Sequence, residues 1–283
     1  MRRVPVLVLL CVFSGFFSCA ERPQASREGE TRLVVVSPAL GRIVRDLDLA
    51  PLVVGRHAWD GGFPDAPSVG DQAGLDYEIL RRLEPTHVLL QWGDRPLPER
   101  LTALAQREGW ELGNIEILTL DEIGSAVREV ASFCGDADAT GRAEGLVEEL
   151  AGALAENDDV RARAGRVAAL YGVSPLGIAG PGSFTFEMIE RLGADCVPDE
   201  GAAFIAMDPE DLRRLDPDTL VFFAPGADEQ ERRRLREPLE RLGLRARVVF
   251  VVDEGCLLPS TSMIGAAREL GDRLMGLAPL GGE

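Results

Sequence analysis

Apolar residues in this chain come in short runs set between longer stretches of helical period. Runs at Leu33–Ser37, Leu52–Gly55, Val88–Gln91 and Ile115–Leu118 predict strands in the first half, and runs at Val167–Tyr171, Leu220–Phe223 and Val248–Val252 predict strands in the second. Helical spacing falls between them, around Ile43–Leu47, Leu101–Glu108, Ile123–Phe133, Phe184–Leu192, Glu229–Leu242 and Ile264–Leu277. Strand and helix therefore alternate, the order expected of an α/β chain with parallel sheets and right-handed crossovers. From Thr140 to Ala164 the apolar residues Leu146, Val147, Leu150 and Leu154 share one helical face with little strand tendency, which predicts one long helix joining the halves.

The halves resemble each other. Leu75–Gln91 aligns without a gap on Met207–Phe223 at an offset of 132. The pairs Asp76/Asp208, Glu78/Glu210, Leu80/Leu212, Arg81/Arg213, Arg82/Arg214, Leu83/Leu215 and Pro85/Pro217 are identical. Each copy reads as an Asp N-cap, a short helix and a proline that stops it before an apolar strand. Pro209 also occupies the favoured first position of its helix. Two related lobes of this kind create a cleft at the carboxyl ends of their strands, where open α/β sheets bind ligands.

The ends of the chain carry other signals. Met1 to Arg3 is a short basic start, and Val4 to Phe17 is an apolar run, the pattern of a secretory signal segment over residues 1–19. It ends in Phe16, Phe17, Ser18, Cys19 and Ala20, which is similar to a bacterial lipobox with Cys19 as the lipidated residue; cleavage after Ala20 is the alternative. Residues 20–31 are polar and read as a flexible tether. The expected layout is then an N-terminal α/β lobe at 32–138, a connecting helix at 139–165 and a C-terminal α/β lobe at 166–283.

Charge narrows the function. The 283 residues carry a net charge of −17, and every basic residue is Arg. Such a surface repels phosphate backbones and anionic lipid, and the lack of Lys excludes a lysine Schiff base or a P-loop lysine. With only His57 and His87, the chain is poor in donors for a bare zinc or manganese site, and no metal site is expected. His87 opens an apolar strand and reads as packed, whereas His57 follows a strand and could face a ligand. Among Cys134, Cys196 and Cys256, a Cys196–Cys256 bridge and small buried thiols are both open readings. An exported hydrolase is the rival class. Ser37, Ser183, Ser260 and Ser262 are its candidate nucleophiles, but Gly180–Ser183 lacks the second flank of a nucleophile elbow, and no zinc-protease, P-loop or dinucleotide motif follows a strand.

The residues that repeat, with Leu33–Leu40, Leu52–Gly55, Val69–Asp71, Gly180–Phe184 and Ile189–Gly193, resemble the cobalamin and iron–siderophore binding proteins of ABC importers over roughly Arg32 to Leu277. The resemblance implies two Rossmann-like lobes with parallel sheets, joined by one long helix, with a metal chelate (corrinoid, ferric siderophore or heme) held in the cleft between them. It implies no catalysis and no resident cofactor. By matching loops after strands, Ser37, Pro38, His57, Trp59, Asp60, Gln91 and Trp92 would face the ligand from the first lobe, and Gly182, Ser183, Phe184, Phe204, Pro225 and Ser260 from the second. Glu78 and Glu210 would dock on arginine pockets of a permease dimer driven by its ATPase. The protein would act as a monomer, exported to the periplasm or cell surface, and held to a membrane only through a lipid anchor. A ligand-sensing lipoprotein without a transporter is the remaining alternative.

Overall fold

The computed structural model describes residues 30–173 and 175–280; the signal segment with Cys19, and residues 20–29 of the tether, lie outside the described residues. Among the described residues no helix is long and apolar enough to cross a membrane.

The first half contains strands β1 (Leu33–Val36), β2 (Val53–Arg56), β3 (Gly70–Asp71), β4 (Gly74–Leu75), β5 (His87–Leu90) and β6 (Glu111–Asn114), with helices α1 (Pro38–Asp46), α2 (Tyr77–Leu83), α3 (Glu99–Glu108) and α4 (Leu120–Cys134). Strands β2, β1, β5 and β6 form one sheet in that order, all parallel, and β3 and β4 make a small separate hairpin. The second half follows α5 (Ala137–Ala153) and α6 (Asp158–Ala164). It contains β7 (Arg166–Val173), β8 (Leu176–Ala179), α7 (Phe184–Arg191), β9 (Asp195–Cys196), β10 (Phe204–Ala206), α8 (Pro209–Leu215), β11 (Thr219–Phe223), α9 (Glu229–Arg241), β12 (Arg247–Val251) and α10 (Met263–Met275). Its sheet runs β10-β8-β7-β11-β12, with β9 beside the start of β7.

Three expectations are corrected. The apolar segment Ile115–Leu118 is not a strand; the edge strand is the preceding, half-exposed β6, while Ile115 and Ile117 are buried in the segment leading to α4. Apolarity marked the buried exit, whereas an edge strand needs little of it. The second sheet is mixed, because β7 turns back tightly into β8, which lies antiparallel to β7 and to β10. The expected connecting helix is two helices. Leu154 ends α5, and the Asn157 side chain accepts from Asp159 N at 3.0 Å to open α6. The break is tied down by Asn157 N, which donates to Leu192 O. Asn at such a site offers the backbone a cap in place of the continuing ladder.

Side chains alternate along each sheet between two apolar layers. Val34, Val36, Val88 and Leu90 pack outward under α2 and α3, and Ala168, Leu170, Leu220, Phe222 and Phe250 pack outward in the second half. The opposite faces of both sheets, with Leu33, Val35, Leu89, Val167, Val221 and Val251, join α1, α4, α5, α7 and α10 in a single core.

The sequence repeat is also a structural one. Asp76 and Asp208 open α2 and α8, and Glu84 and Asp216 close them in the same left-handed conformation, with φ of 45° and 44°. Beyond the aligned stretch the likeness continues. Arg32 N donates to Thr86 Oγ1 and Arg166 N donates to Asp218 Oδ2, both at 2.8 Å. The Arg32 guanidinium reaches the carbonyls of Leu83 and Glu84, and that of Arg166 reaches the carbonyl of Asp216. Cys134, Cys196 and Cys256 are buried free thiols, so the bridge is not formed. Burial pushes the Cys134 thiol up to about 11 and that of Cys256 up to about 12, and raises Cys196 as well.

Candidate functional site

The carboxyl ends of β1, β2 and β5 release Ser37, His57 and Gln91 on one edge of the first sheet. Ser37 is fully buried; its hydroxyl donates to Gln91 Oε1 at 2.7 Å and accepts from Leu40 N, capping α1, with Pro38 in the first turn. These residues form a fixed floor. Trp92 is half-buried against the outer core, its backbone N–H held by Asn114 Oδ1, and the Arg95 guanidinium lies over its ring at 5.2 Å.

The loop after β2 begins at the same edge of the sheet. Trp59 N donates to His57 Nδ1, so the proton sits on Nε2, which donates to Gln72 Oε1 at 3.1 Å. His57 is buried and both ring nitrogens are used within the loop, so it orders the loop and does not present itself to a metal. Trp59, by contrast, is 81% exposed, and its indole N–H points to Asp71 Oδ2 at 3.4 Å. Hydrogen bonds from Ala73 N, Gly74 N and the Trp59 indole hold the Asp71 carboxyl below the usual aspartate range. Asp60 is turned away: it is buried, paired with Arg45 at 2.9 Å, and its second oxygen lies against Gly41 of α1. Sequence reasoning placed Asp60 by its loop and missed Asp71 and Gln72, which hold the exposed ring.

In the second half, Ser183 caps α7 by accepting from Phe186 N and donating to Gly180 O, so its hydroxyl is spent on the backbone. Gly182 sits at φ 82°, a turn that a side chain would strain. Phe184 packs partly against the shared core. Beside this turn Phe204 is 56% exposed and stacks on Tyr171, with ring centroids 6.1 Å apart. Its ring lies so close to Gly177 that a Cβ there would meet it at 2.7 Å. Tyr171, whose hydroxyl bonds Thr185 Oγ1 at 2.6 Å, is a further member of the group. It was hidden inside a run read only as a strand. Pro225 is exposed at the end of β11. Ser260 is fully buried and bonds Leu258 O and Ser262, and it lies beside Thr261, whose hydroxyl donates to Asp46 of α1 at 2.5 Å. It therefore belongs to the junction between the halves and is not part of a ligand face.

Glu78 and Glu210 stand in the first turns of α2 and α8, both exposed, and neither forms an ion pair among the described residues. Cavities of about 230 to 440 Å³ lie near α2 and α3, near α9 and β12, and among α5, α6 and α10. None of these includes an expected ligand residue. Among the described residues no three His, Cys, Asp or Glu side chains are placed to hold a metal ion.

No protein-family model matches the sequence, and no curated protein does. Solved structures do match. The periplasmic heme-binding protein HutB of Vibrio cholerae is similar over 86% of this chain and 98% of its own, with a TM-score of 0.68 at 16% identity. The fold is that of the periplasmic binding proteins. The periplasmic heme-binding protein RhuT from Roseiflexus sp. RS-1 is similar over 87% and 98%, with a TM-score of 0.65 at 21% identity. The vitamin B12 binding protein BtuF of Vibrio cholerae is similar over 86% and 96%, with a TM-score of 0.64 at 14% identity. Trp59 and Phe204, the latter stacked on Tyr171, are the most exposed aromatic rings among the expected ligand residues.

Proposed function

We propose that the chain is the extracytoplasmic substrate-binding protein of an ABC importer, and that it captures a flat metal chelate between its halves for delivery to a membrane permease. The observation that carries this reading is the likeness along nearly the full length of solved binding proteins for heme and vitamin B12. The aromatic surfaces fit it: Trp59 and Phe204 offer exposed π faces to a macrocycle. Glu78 and Glu210, repeated at 132 residues, exposed and without an ion pair among the described residues, suit a partner that presents two cationic sites. Binding makes and breaks no bond of the ligand. The serines weighed as nucleophiles support this, since Ser37, Ser183, Ser260 and Ser262 are each committed to capping or to backbone carbonyls. Export and tethering through Cys19 belong to the same proposal.

The test is titration of residues 31–283 with hemin, cyanocobalamin and a ferric catecholate, followed by absorption and tryptophan fluorescence. Saturable binding of one of them at micromolar or tighter affinity is expected. With that chelate, Glu78→Arg combined with Glu210→Arg is expected to abolish uptake while leaving its affinity unchanged. A parallel loss of affinity would overturn the docking role, and turnover of a small ester with no chelate bound would overturn the importer.

A further inference from the structure

The two docking faces are not equivalent, although the repeat makes them look so. The residue before Glu78 is Tyr77, and the residue before Glu210 is Pro209. On the first face, the Arg100 guanidinium of α3 lies over the Tyr77 ring at 4.3 Å. Arg100 is exposed and has no carboxylate partner among the described residues. Its neighbour Arg107 is instead bound to Glu108 at 2.8 Å, and Arg81 also approaches Glu108. Two hollows adjoin here, one of about 230 Å³ toward α3 and one of about 440 Å³ toward the β3–β4 hairpin, and Tyr77, Glu78 and Arg100 line both. An unpaired anion and an unpaired cation thus share one ridge without satisfying each other.

We propose that Arg100, seated on Tyr77, is a second docking contact on this face, and that it receives a carboxylate of the permease beside the arginine that receives Glu78. The inference rests on the importer reading and extends it. A guanidinium stacked by its face keeps its in-plane N–H donors free, which is the geometry of a two-point bond to a carboxylate. The ring also holds the side chain in place before the partner arrives, so less is lost on ordering it. The second face, with proline at the matching position, has no such platform. The partner surface opposite the first half is therefore mixed in charge.

The experiment measures binding of the chain and its variants to the nanodisc-reconstituted ABC permease that takes up the chelate the chain binds. Arg100→Ala is expected to weaken binding about tenfold, Arg100→Glu further, and Arg100→Lys less than Arg100→Ala. Arg107→Ala, which changes the same net charge, is expected to stay within about twofold. Chelate affinity and melting temperature serve as controls and should not move. Wild-type binding by Arg100→Ala, or an equal loss in Arg107→Ala, would overturn the inference while the importer reading stands. Full binding by the Glu78→Arg, Glu210→Arg variant would remove the docking role of the glutamates and this inference with it, and no binding by the wild-type chain would overturn the importer reading.

Discussion

Trp59 shows what a single residue contributes and what holds it there. An indole left in solvent is costly to keep in one orientation, yet its N–H is aimed at Asp71 and its backbone is held by His57. Asp71→Ala is expected to release the ring, so that the bound chelate quenches tryptophan fluorescence less and affinity falls several-fold, with the melting temperature unchanged. The pH dependence has a definite sign. Because the Asp71 carboxyl is lowered in the folded protein, its hydrogen bonds are complete above the ordinary aspartate range and are lost only as the pH falls through its depressed value. Loss of the Trp59 signal at neutral pH would contradict this. At this scale the sequence placed Trp59 outside the core by its loop after a strand, and Glu78 and Glu210 by their place in the first turn of a repeated helix. It was opaque for His57, Asp60 and Ser260, since nothing in one polar residue's identity says whether its partner is a ligand or the chain itself.

Elements were read from apolar runs and caps, and the helices of both halves but only half of the strands among the described residues were found that way. The misses share a cause. Strands β6 and β10 are partly exposed edges, and the β7–β8 turn leaves no longer apolar run than a lone strand would. The break between α5 and α6 depends on Asn157, a cap embedded in a pattern otherwise helical. The repeat proved more informative than any run, because it carried the left-handed helix ends and, two residues out of register, the Arg32 and Arg166 braces. Those braces predict matching effects. Thr86→Val and Asp218→Ala each remove the acceptor of a strand-opening N–H and should each cost about 1–2 kcal/mol. Urea unfolding should show a lower midpoint with an unchanged slope for both. A null effect at either would mean that water replaces the lost acceptor.

At the scale of the whole molecule, each half keeps an outer apolar layer of its own and the two share an inner one. One core runs from β1 to α10, and polar contacts cross it: Leu120 N donates to Glu187, Arg191 pairs with Asp121, Arg142 donates to Leu47 O and Thr261 donates to Asp46. Thermal unfolding should accordingly be one transition, with calorimetric and van't Hoff enthalpies equal. Chelate binding should move the halves by no more than about 1 Å, as judged from solution scattering with and without ligand. Two calorimetric peaks would show that the shared core does not couple them. This core also orders events in time. Met263, Ala266, Ala267, Leu270 and Leu274 of α10 fill it, so a growing chain cannot close this shared layer until α10 has been made. The layer that couples the halves is thus closed by a helix far along the chain from the strands it covers, and its contacts form late.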